Sequence, residues 1–259
     1  MNPIALVWHQ FRFDQKVFWR SPASVFFTVM LPVIFLLIFA TIFGNDTLPK
    51  PLDGVKTTTY YVPAILTLAV VSATLVNLAI NLTVEREDGV LKRSRGTPMP
   101  AWAFVAGRIG NSLVVTAVML VLITLLGHFV YGVSIPFARA GGILVTLGIG
   151  AASFCALGIA LTAAIPSEDA APAITNVAVL PLYFLSGVFI PETEIPNGIL
   201  QVAAVFPIRP FFQAFFAAYV PSTGAGEFQW GHLAVVALWG AAGIIIALRT
   251  FRWTPRATQ

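Results

Sequence analysis

The stretch Glu85-Arg-Glu-Asp-Gly-Val-Leu-Lys-Arg-Ser-Arg-Gly-Thr-Pro-Met-Pro-Ala-Trp102 is the densest run of charge in a chain that is otherwise mostly apolar. Tyr60 to Val84 precedes it and Ala103 to Leu126 follows it, and each of these runs is long enough to cross a bilayer, for which about 20 residues suffice. A charged loop between two such runs lies outside the hydrocarbon. Its Arg86, Lys92, Arg93 and Arg95, with Arg108 just inside the next run, form the basic excess that the positive-inside rule assigns to the cytoplasm.

Composition agrees. The chain is 58% hydrophobic and only 10% charged, against roughly 25% charged in an average soluble domain, and its mean hydropathy is +0.85. The net charge of +4 comes from basic residues at span ends, where topology and anionic lipid account for them, so no nucleic-acid partner is expected. One cysteine, Cys155, permits no internal disulfide and no thiolate zinc site. His9, His128 and His232 fall at three separate span edges, so neither a metal nor a directly bound cofactor is expected. The first apolar core begins near Val25 after an amphipathic stretch and is too long for a signal peptide, so the first span should be retained.

The expected fold class is an all-α integral membrane protein with six transmembrane helices in a single transmembrane domain, residues 1–259. Residues 3–20 read as an interfacial helix: Ile4, Val7, Trp8, Phe11, Phe18 and Trp19 share one face, and His9, Arg12, Lys16 and Arg20 share another. Spans are expected over 22–44, 60–84, 103–131, 141–165, 170–190 and 230–251, with Pro32 bending the first. Residues 192–220 are apolar but broken by prolines, which suits a re-entrant helical hairpin on the outer side, before the last span. Gly148, Ala152, Ala156, Ala160 and Ala164 place small residues at every fourth position of the fourth span, a pattern for close helix packing. Ser167 is placed to cap the fifth. The basic residues then collect on one side, Arg249, Arg252 and Arg256 included, which puts both termini in the cytoplasm and the protein in the cell membrane.

Polar residues inside the spans are few. Thr67, Thr74, Asn77 and Asn81 occupy one narrow arc of the second span, and Asn176 lies in the fifth. They either line a pathway or hydrogen-bond a neighbouring helix. Every acidic residue, from Asp14 to Glu227, falls in a loop, tail or surface helix, which disfavours a proton-coupled transporter. No intramembrane serine has a histidine or aspartate to activate it, and the chain has no Gly-Lys pair and hence no phosphate-binding P-loop. An enzyme is therefore not expected, and energy for uphill transport would come from another subunit.

Three stretches carry a resemblance to a known family. Glu85-Arg-Glu-Asp-Gly-Val-Leu-Lys-Arg with Thr97-Pro-Met-Pro resembles the cytoplasmic coupling segment of ATP-binding-cassette exporters of the type-2 permease family, which includes drug-resistance, nodulation-factor, teichoic-acid and O-antigen permeases. Pro181-Leu-Tyr-Phe-Leu-Ser-Gly-Val-Phe-Ile-Pro191 is similar to that family's Phe-Leu-Ser-Gly run, and Phe206-Pro-Ile-Arg-Pro to the region after its outer re-entrant helices. Arg209 and Asp88 depart from the usual pattern.

The resemblance implies a permease that works as a homo- or heterodimer with two copies of a cytoplasmic ATPase, which binds ATP and magnesium itself. It implies that residues 85–100 form the coupling loop, in which Glu85, Arg86, Glu87, Asp88, Gly89, Val90 and Leu91 make a short helix docked on that ATPase. The acids would face its basic residues, and Val90 and Leu91 would supply apolar contact. The route would lie where the second and fifth spans of two copies meet, carrying a hydrophobic or amphipathic substrate such as a drug, a lipid or a lipid-linked glycan. Two other readings remain open: a membrane scaffold or sensor that recruits a cytoplasmic partner, and an ion-coupled transporter.

Overall fold

A helix that is apolar all the way round must be enclosed by protein or lipid, and residues 57–87 become the enclosed helix of this chain. The computed structural model describes residues 3–44, 46–49, 52, 54–95, 100–221 and 224–251. Among them the regular structure is helical, with one isolated bridge between Thr47 and Lys56. The helices are α1 (Pro3–Arg20), α2 (Pro22–Ile42), α3 (Thr57–Glu87), α4 (Val90–Arg95), α5 (Ala101–Tyr131), α6 (Ala140–Leu161), α7 (Ala170–Leu185), α8 (Asn197–Ala203), α9 (Ile208–Tyr219) and α10 (Trp230–Thr250). Five of them, α2, α3, α5, α6 and α10, are long and apolar enough to cross a membrane; α8 and α9, bent by 99°, add a sixth crossing if counted as one broken span.

The central post is α3, which rises about 46 Å over its length. Tyr61, Val62, Ala64, Ile65 and Leu66 on it are wholly buried, against α2, α5, α6 and α9. Outside this core the surface is apolar: Ile42 on α2, Phe129 on α5 and Leu248 on α10 are all more than two-thirds exposed. Apolar area on that scale is covered by lipid in a membrane protein, not by water.

Local sequence explains the breaks. At the start of α2, Ser21 accepts a hydrogen bond from the Ser24 N–H at 3.3 Å, and Pro22 takes the first position, where its missing N–H costs nothing. The bend expected at Pro32 is a π-helical turn, Phe26–Met30. The wider turn removes the carbonyl clash that a proline imposes one turn back. A second π turn, Ser72–Val76, interrupts α3. Ser167 accepts from the Ala170 N–H at 3.4 Å, as its expected capping role requires.

The span expected over 170–190 ends earlier, at Leu185. Its 16 residues rise about 24 Å, less than the roughly 30 Å hydrocarbon core. Ser186 and Gly187 stop the helix, and Gly187 has φ +85°, where a side chain is strained. A Cβ there would also come within 2.7 Å of the Glu192 side chain. The bent pair that follows is held by Arg209, which donates to the Leu200 carbonyl on α8 at 3.1 Å and pairs with Glu192 at 3.3 Å. Trp239 of α10 donates to the Val205 carbonyl in the bend at 2.7 Å.

Close helix packing uses the expected stripe only in part. Gly148 and Ala152 are exposed, whereas Ala156 makes a close approach together with residues outside the stripe. Gly240 and Gly243 of α10 lie against Ser153, Ala156 and Leu157 of α6, and a Cβ on Gly158 would sit 2.7 Å from the Leu75 carbonyl oxygen. That oxygen belongs to backbone and cannot swing aside. Gly158→Ala should therefore destabilise by about 1–3 kcal/mol, whereas Gly148→Ala, with nothing within 4 Å, should be neutral or slightly stabilising. Thermal melting of the two purified variants in detergent checks the contrast; equal melting temperatures would refute this packing.

Candidate functional site at the charged end of the bundle

An arginine buried in an apolar bundle persists only if its planar group finds acceptors, because an unpaired interior charge costs several kcal/mol. Two arginines at the charged end of α3 and α5 meet that condition. Arg86, 2% exposed, donates to the carbonyls of Thr162 at 2.9 Å and Ile165 at 2.8 Å, just beyond the end of α6, and to Glu87 at 2.7 Å. It thus satisfies carbonyls that a helix end leaves without partners, at the negative end of the α6 dipole.

Arg108 lies between two acids from different elements. Its guanidinium pairs with Glu85 at the end of α3, and with Asp14 of α1 at 3.4 Å, while stacking over Phe104 at 5.2 Å. Asp14 is 2% exposed and accepts from Gln10 at 2.8 Å. Burial raises its carboxyl to about 6, with Arg108 pulling it down, Glu85 pushing it up and the Gln10 hydrogen bond lowering it. One guanidinium therefore ties α1, α3 and α5 together. Glycines make room: a Cβ on Gly107 would strike Gln10 at 2.7 Å, and one on Gly110 would meet the Phe11 ring at 3.3 Å.

The coupling residues inferred from sequence are all at this end, but not as one helix. Glu85, Arg86 and Glu87 form the last turn of α3. Asp88 and Gly89 make a turn, with Gly89 at φ +69°, and the short helix is Val90–Arg95. Glu85 and Arg86 are spent on internal partners. Leu91, read as apolar contact for a partner, is instead wholly buried with Leu78, Leu82, Phe104, Cys155 and Ile159. The outward surface carries Asp88, Lys92 and Arg93, with Val90 half-buried beside them. Residues 96–99, including the Thr97-Pro-Met stretch, lie outside the described residues.

The helix expected over residues 3–20 forms over that range. Trp8, Arg12, Lys16, Trp19 and Arg20 are exposed, but Phe18 is buried and Phe11 half-buried against the bundle. Helix α1 thus rests on α5 through Gln10, Asp14 and Phe18, spaced at four residues, and leaves Ile4, Trp8, Phe13, Val17 and Trp19 outward. Asp14 and Arg108 were legible separately, as a surface acid and a topogenic charge; the spacing of Gln10, Asp14 and Phe18 was the available sign of their burial.

The polar arc of α3 divides. Thr67 and Thr74 are wholly buried, and their hydroxyls donate to the carbonyls of Pro63 at 3.0 Å and Val70 at 2.6 Å. Asn77 donates to Thr28 of α2 at 3.2 Å, and Asn81 donates to Asn77; both are half-buried. Asn176 on α7 is exposed beside Val177. Among the described residues no cluster of three or more metal-ligating side chains occurs.

The chain is thus a helical membrane bundle with a charged platform at one end, on which the short helix α4 is seated through Leu91. Residues 4–220 match the ABC-2 type transporter family, and the chain belongs to that family. It is 31% identical over 197 residues to the daunorubicin resistance ABC transporter permease protein DrrB1 of Streptomyces coeruleorubidus, an alignment covering 74% of this chain and 66% of that protein. It is 22% identical over 153 residues to the probable multidrug ABC transporter permease YbhR of Escherichia coli K12, covering 59% of this chain and 41% of that one. These alignments span less than two-thirds of each relative's length.

The Asp14–Arg108–Glu85 cluster makes a stability prediction. Arg108→Met leaves two carboxylates facing each other in a buried site and should cost about 3 kcal/mol or more; adding Asp14→Asn should recover part of the loss. The folded-state value of Asp14, about 6 against an ordinary 3.8, fixes the pH dependence. Its contribution is fully present below about 4 and is lost as pH rises through about 6. The wild-type melting temperature should therefore fall relative to Asp14→Asn between pH 4 and 6.5, and parallel curves would refute the burial of this acid.

Proposed function

We propose that the chain is the membrane permease half of an ATP-driven exporter. It would work as a pair of permease subunits with two copies of a cytoplasmic ATP-binding-cassette ATPase and carry a hydrophobic or amphipathic substrate, such as a drug, a lipid or a lipid-linked glycan, out of the cytoplasm. Family membership and the likeness to ABC transporter permeases support the class. The observation that carries the mechanism is the double arginine clamp. Because Arg86 and Arg108 join α1, α3, α5 and the end of α6, a push on the short helix α4 moves several spans at once and is not absorbed in a loose loop.

In this reading Asp88, Lys92, Arg93 and Val90 meet the ATPase, while Glu85, Arg86 and Leu91 hold the platform behind them. ATP binds to the partner with magnesium. Closure of two ATPases would bring two platforms together and rock the attached spans. The route would run along the α3 and α7 surface that carries Asn77, Asn81 and Asn176, with Thr67 and Thr74 enclosed behind it. The charged end faces the cytoplasm, in keeping with its basic excess and both basic termini.

The triple reversal Asp88→Lys, Lys92→Glu, Arg93→Glu should leave membrane insertion and melting temperature unchanged. It should weaken co-purification with the cognate ATPase at least about tenfold, a change of roughly 1.4 kcal/mol, and abolish ATP-dependent accumulation of a lipophilic dye in inverted vesicles. Full dye accumulation by this variant would sink the coupling assignment. Retained ATPase association with no ATP-dependent transport of any tested substrate by the wild type would favour a recruiting scaffold.

A further inference from the structure

Two of the spans change their hydrogen-bond pattern in mid-course, and they do so beside each other. In α2 the Leu31 N–H donates to the Phe26 carbonyl, and in α3 the Asn77 N–H donates to the Ser72 carbonyl, each five residues back. The two turns are in contact, and the Asn77 side-chain amide bridges them by donating to the Thr28 hydroxyl at 3.2 Å. For α2 a cause is at hand in Pro32. For α3 it is not: its proline, Pro63, lies before the turn, so no carbonyl clash calls for the wider winding there. Such turns inside α-helices are frequent at functional sites.

Their position gives them a use. Helix α1 is clamped to α3 and α5 through Arg108 and leads into α2 with only Ser21 between. The inner ends of α2 and α3 therefore belong to the charged platform. Their outer parts belong to the aromatic core, where Phe39 of α2 stacks on Tyr61 of α3 at 5.1 Å. In both helices a π turn separates platform from core. Helices α5 and α6, which also touch the α3 turn, run past it as unbroken α-helix.

Bending a buried helix bares main-chain carbonyls, which is costly away from water. Here the carbonyls just before the turn already have side-chain donors. Thr74 donates to the Val70 carbonyl at 2.6 Å, and Tyr183 of α7 donates to the Leu68 carbonyl at 3.4 Å. Packing permits movement too, because Leu75 meets α6 at the bare backbone of Gly158 and no side chain interlocks there.

We infer that the paired π turns are a flexure, at which the platform, with the inner ends of α2 and α3, tilts against the outer core. Opening at Phe26–Met30 and opening at Ser72–Val76 occur together. The use of this flexure in transport rests on the reading of the charged end as a coupling platform; the flexure itself does not.

Because a π turn is an α turn with one residue inserted, deletion of Ala73 should restore regular helix and leave both halves of α3 in register. The full chain and this variant are compared in nanodiscs by hydrogen–deuterium exchange. Ala64, Ile65 and Leu66 are as buried as Ala73 and Thr74, so burial alone predicts equal protection. The flexure predicts exchange at 73–77 at least about tenfold faster than at 64–68 in the wild type. The deletion should slow it to the flanking rate, and should also slow exchange at 26–31 in the untouched α2, which a merely local weakness in α3 would not do. If the deletion variant does not melt cooperatively, Thr74→Val, which keeps the shape and removes the hydroxyl donor, should slow exchange in both turns at least about threefold. Equal protection of the two α3 segments in the wild type, or unchanged exchange at 26–31 in the folded variants, overturns the flexure. With the cognate ATPase present, the deletion variant should still co-purify with it but lose ATP-dependent dye accumulation at least about tenfold. Accumulation equal to that of the wild type overturns the flexure. A wild type that binds the ATPase and accumulates no dye counts against the proposed function instead, and the exchange measurements then decide the flexure.

Discussion

Everything at the charged end depends on two guanidinium groups that have been taken out of water. Each would cost several kcal/mol if left unpaired, and the bundle meets that cost in different ways. Arg86 uses two main-chain carbonyls and a neighbouring glutamate; Arg108 uses two carboxylates and a ring face. The partners come from α1, α3 and the end of α6, so satisfying the charges fixes the relative positions of these helices. Lipid-facing helices gain little from burying apolar surface against one another, because the surrounding tails are equally apolar. Polar clamps and close backbone contacts must then supply the specificity, and the glycines at 107, 110, 150, 158, 240 and 243 supply the contacts.

This division explains which parts of the structure could be read from the chain. Spans are visible because hydropathy over some 20 residues is a property of the segment alone, and the charged loop, the interfacial helix and the broken apolar stretch after Pro191 were legible for the same reason. Burial of single residues is a property of two segments, and there the reading failed at particular places. Gln10 and Asp14 look like a solvated face until α5 is known to offer Gly107, Arg108 and Gly110 opposite them. Leu91 looks like a free apolar contact until the pocket formed by Leu78, Leu82 and Phe104 is known to lie beneath it. The stripe of small residues from Gly148 had the right spacing, but of its members Ala156 makes a close contact while Gly148 and Ala152 are exposed, and the other close contacts fall on Gly150, Ser153, Leu157 and Gly158 of the same helix, because neighbours on two sides choose which face is used.

Arg209 has a structural role of its own at the opposite end. A helix pair bent by 99° exposes the last carbonyls of its first member, and these need donors in a region without bulk water. Arg209 reaches back to the Leu200 carbonyl and to Glu192, while Arg139 donates to the carbonyls of Ala217, in the last turns of α9, and Ala225, just after it, at 2.8 and 3.0 Å. Arg209 and Arg139 thus both donate to main-chain carbonyls at this end.

Between the two ends, α3 is not a uniform rod. Its π turn at Ser72–Val76 and the π turn of α2 at Phe26–Met30 lie against each other. They are joined by the hydrogen bond from Asn77 to Thr28. A π turn holds one residue more than an α turn and can pass it along the helix by exchanging hydrogen-bond partners. Thr74, donating to the Val70 carbonyl, occupies one carbonyl that such an exchange involves, and Gly158 presses α6 against Leu75 within the turn. The half of α3 above this level is locked into the aromatic core around Tyr60 and Tyr61; the half below is locked to Arg108 through Glu85 and to the end of α6 through Arg86. Both halves are thus held by neighbouring helices, and the irregular turn at residues 72–76 lies between the two held regions.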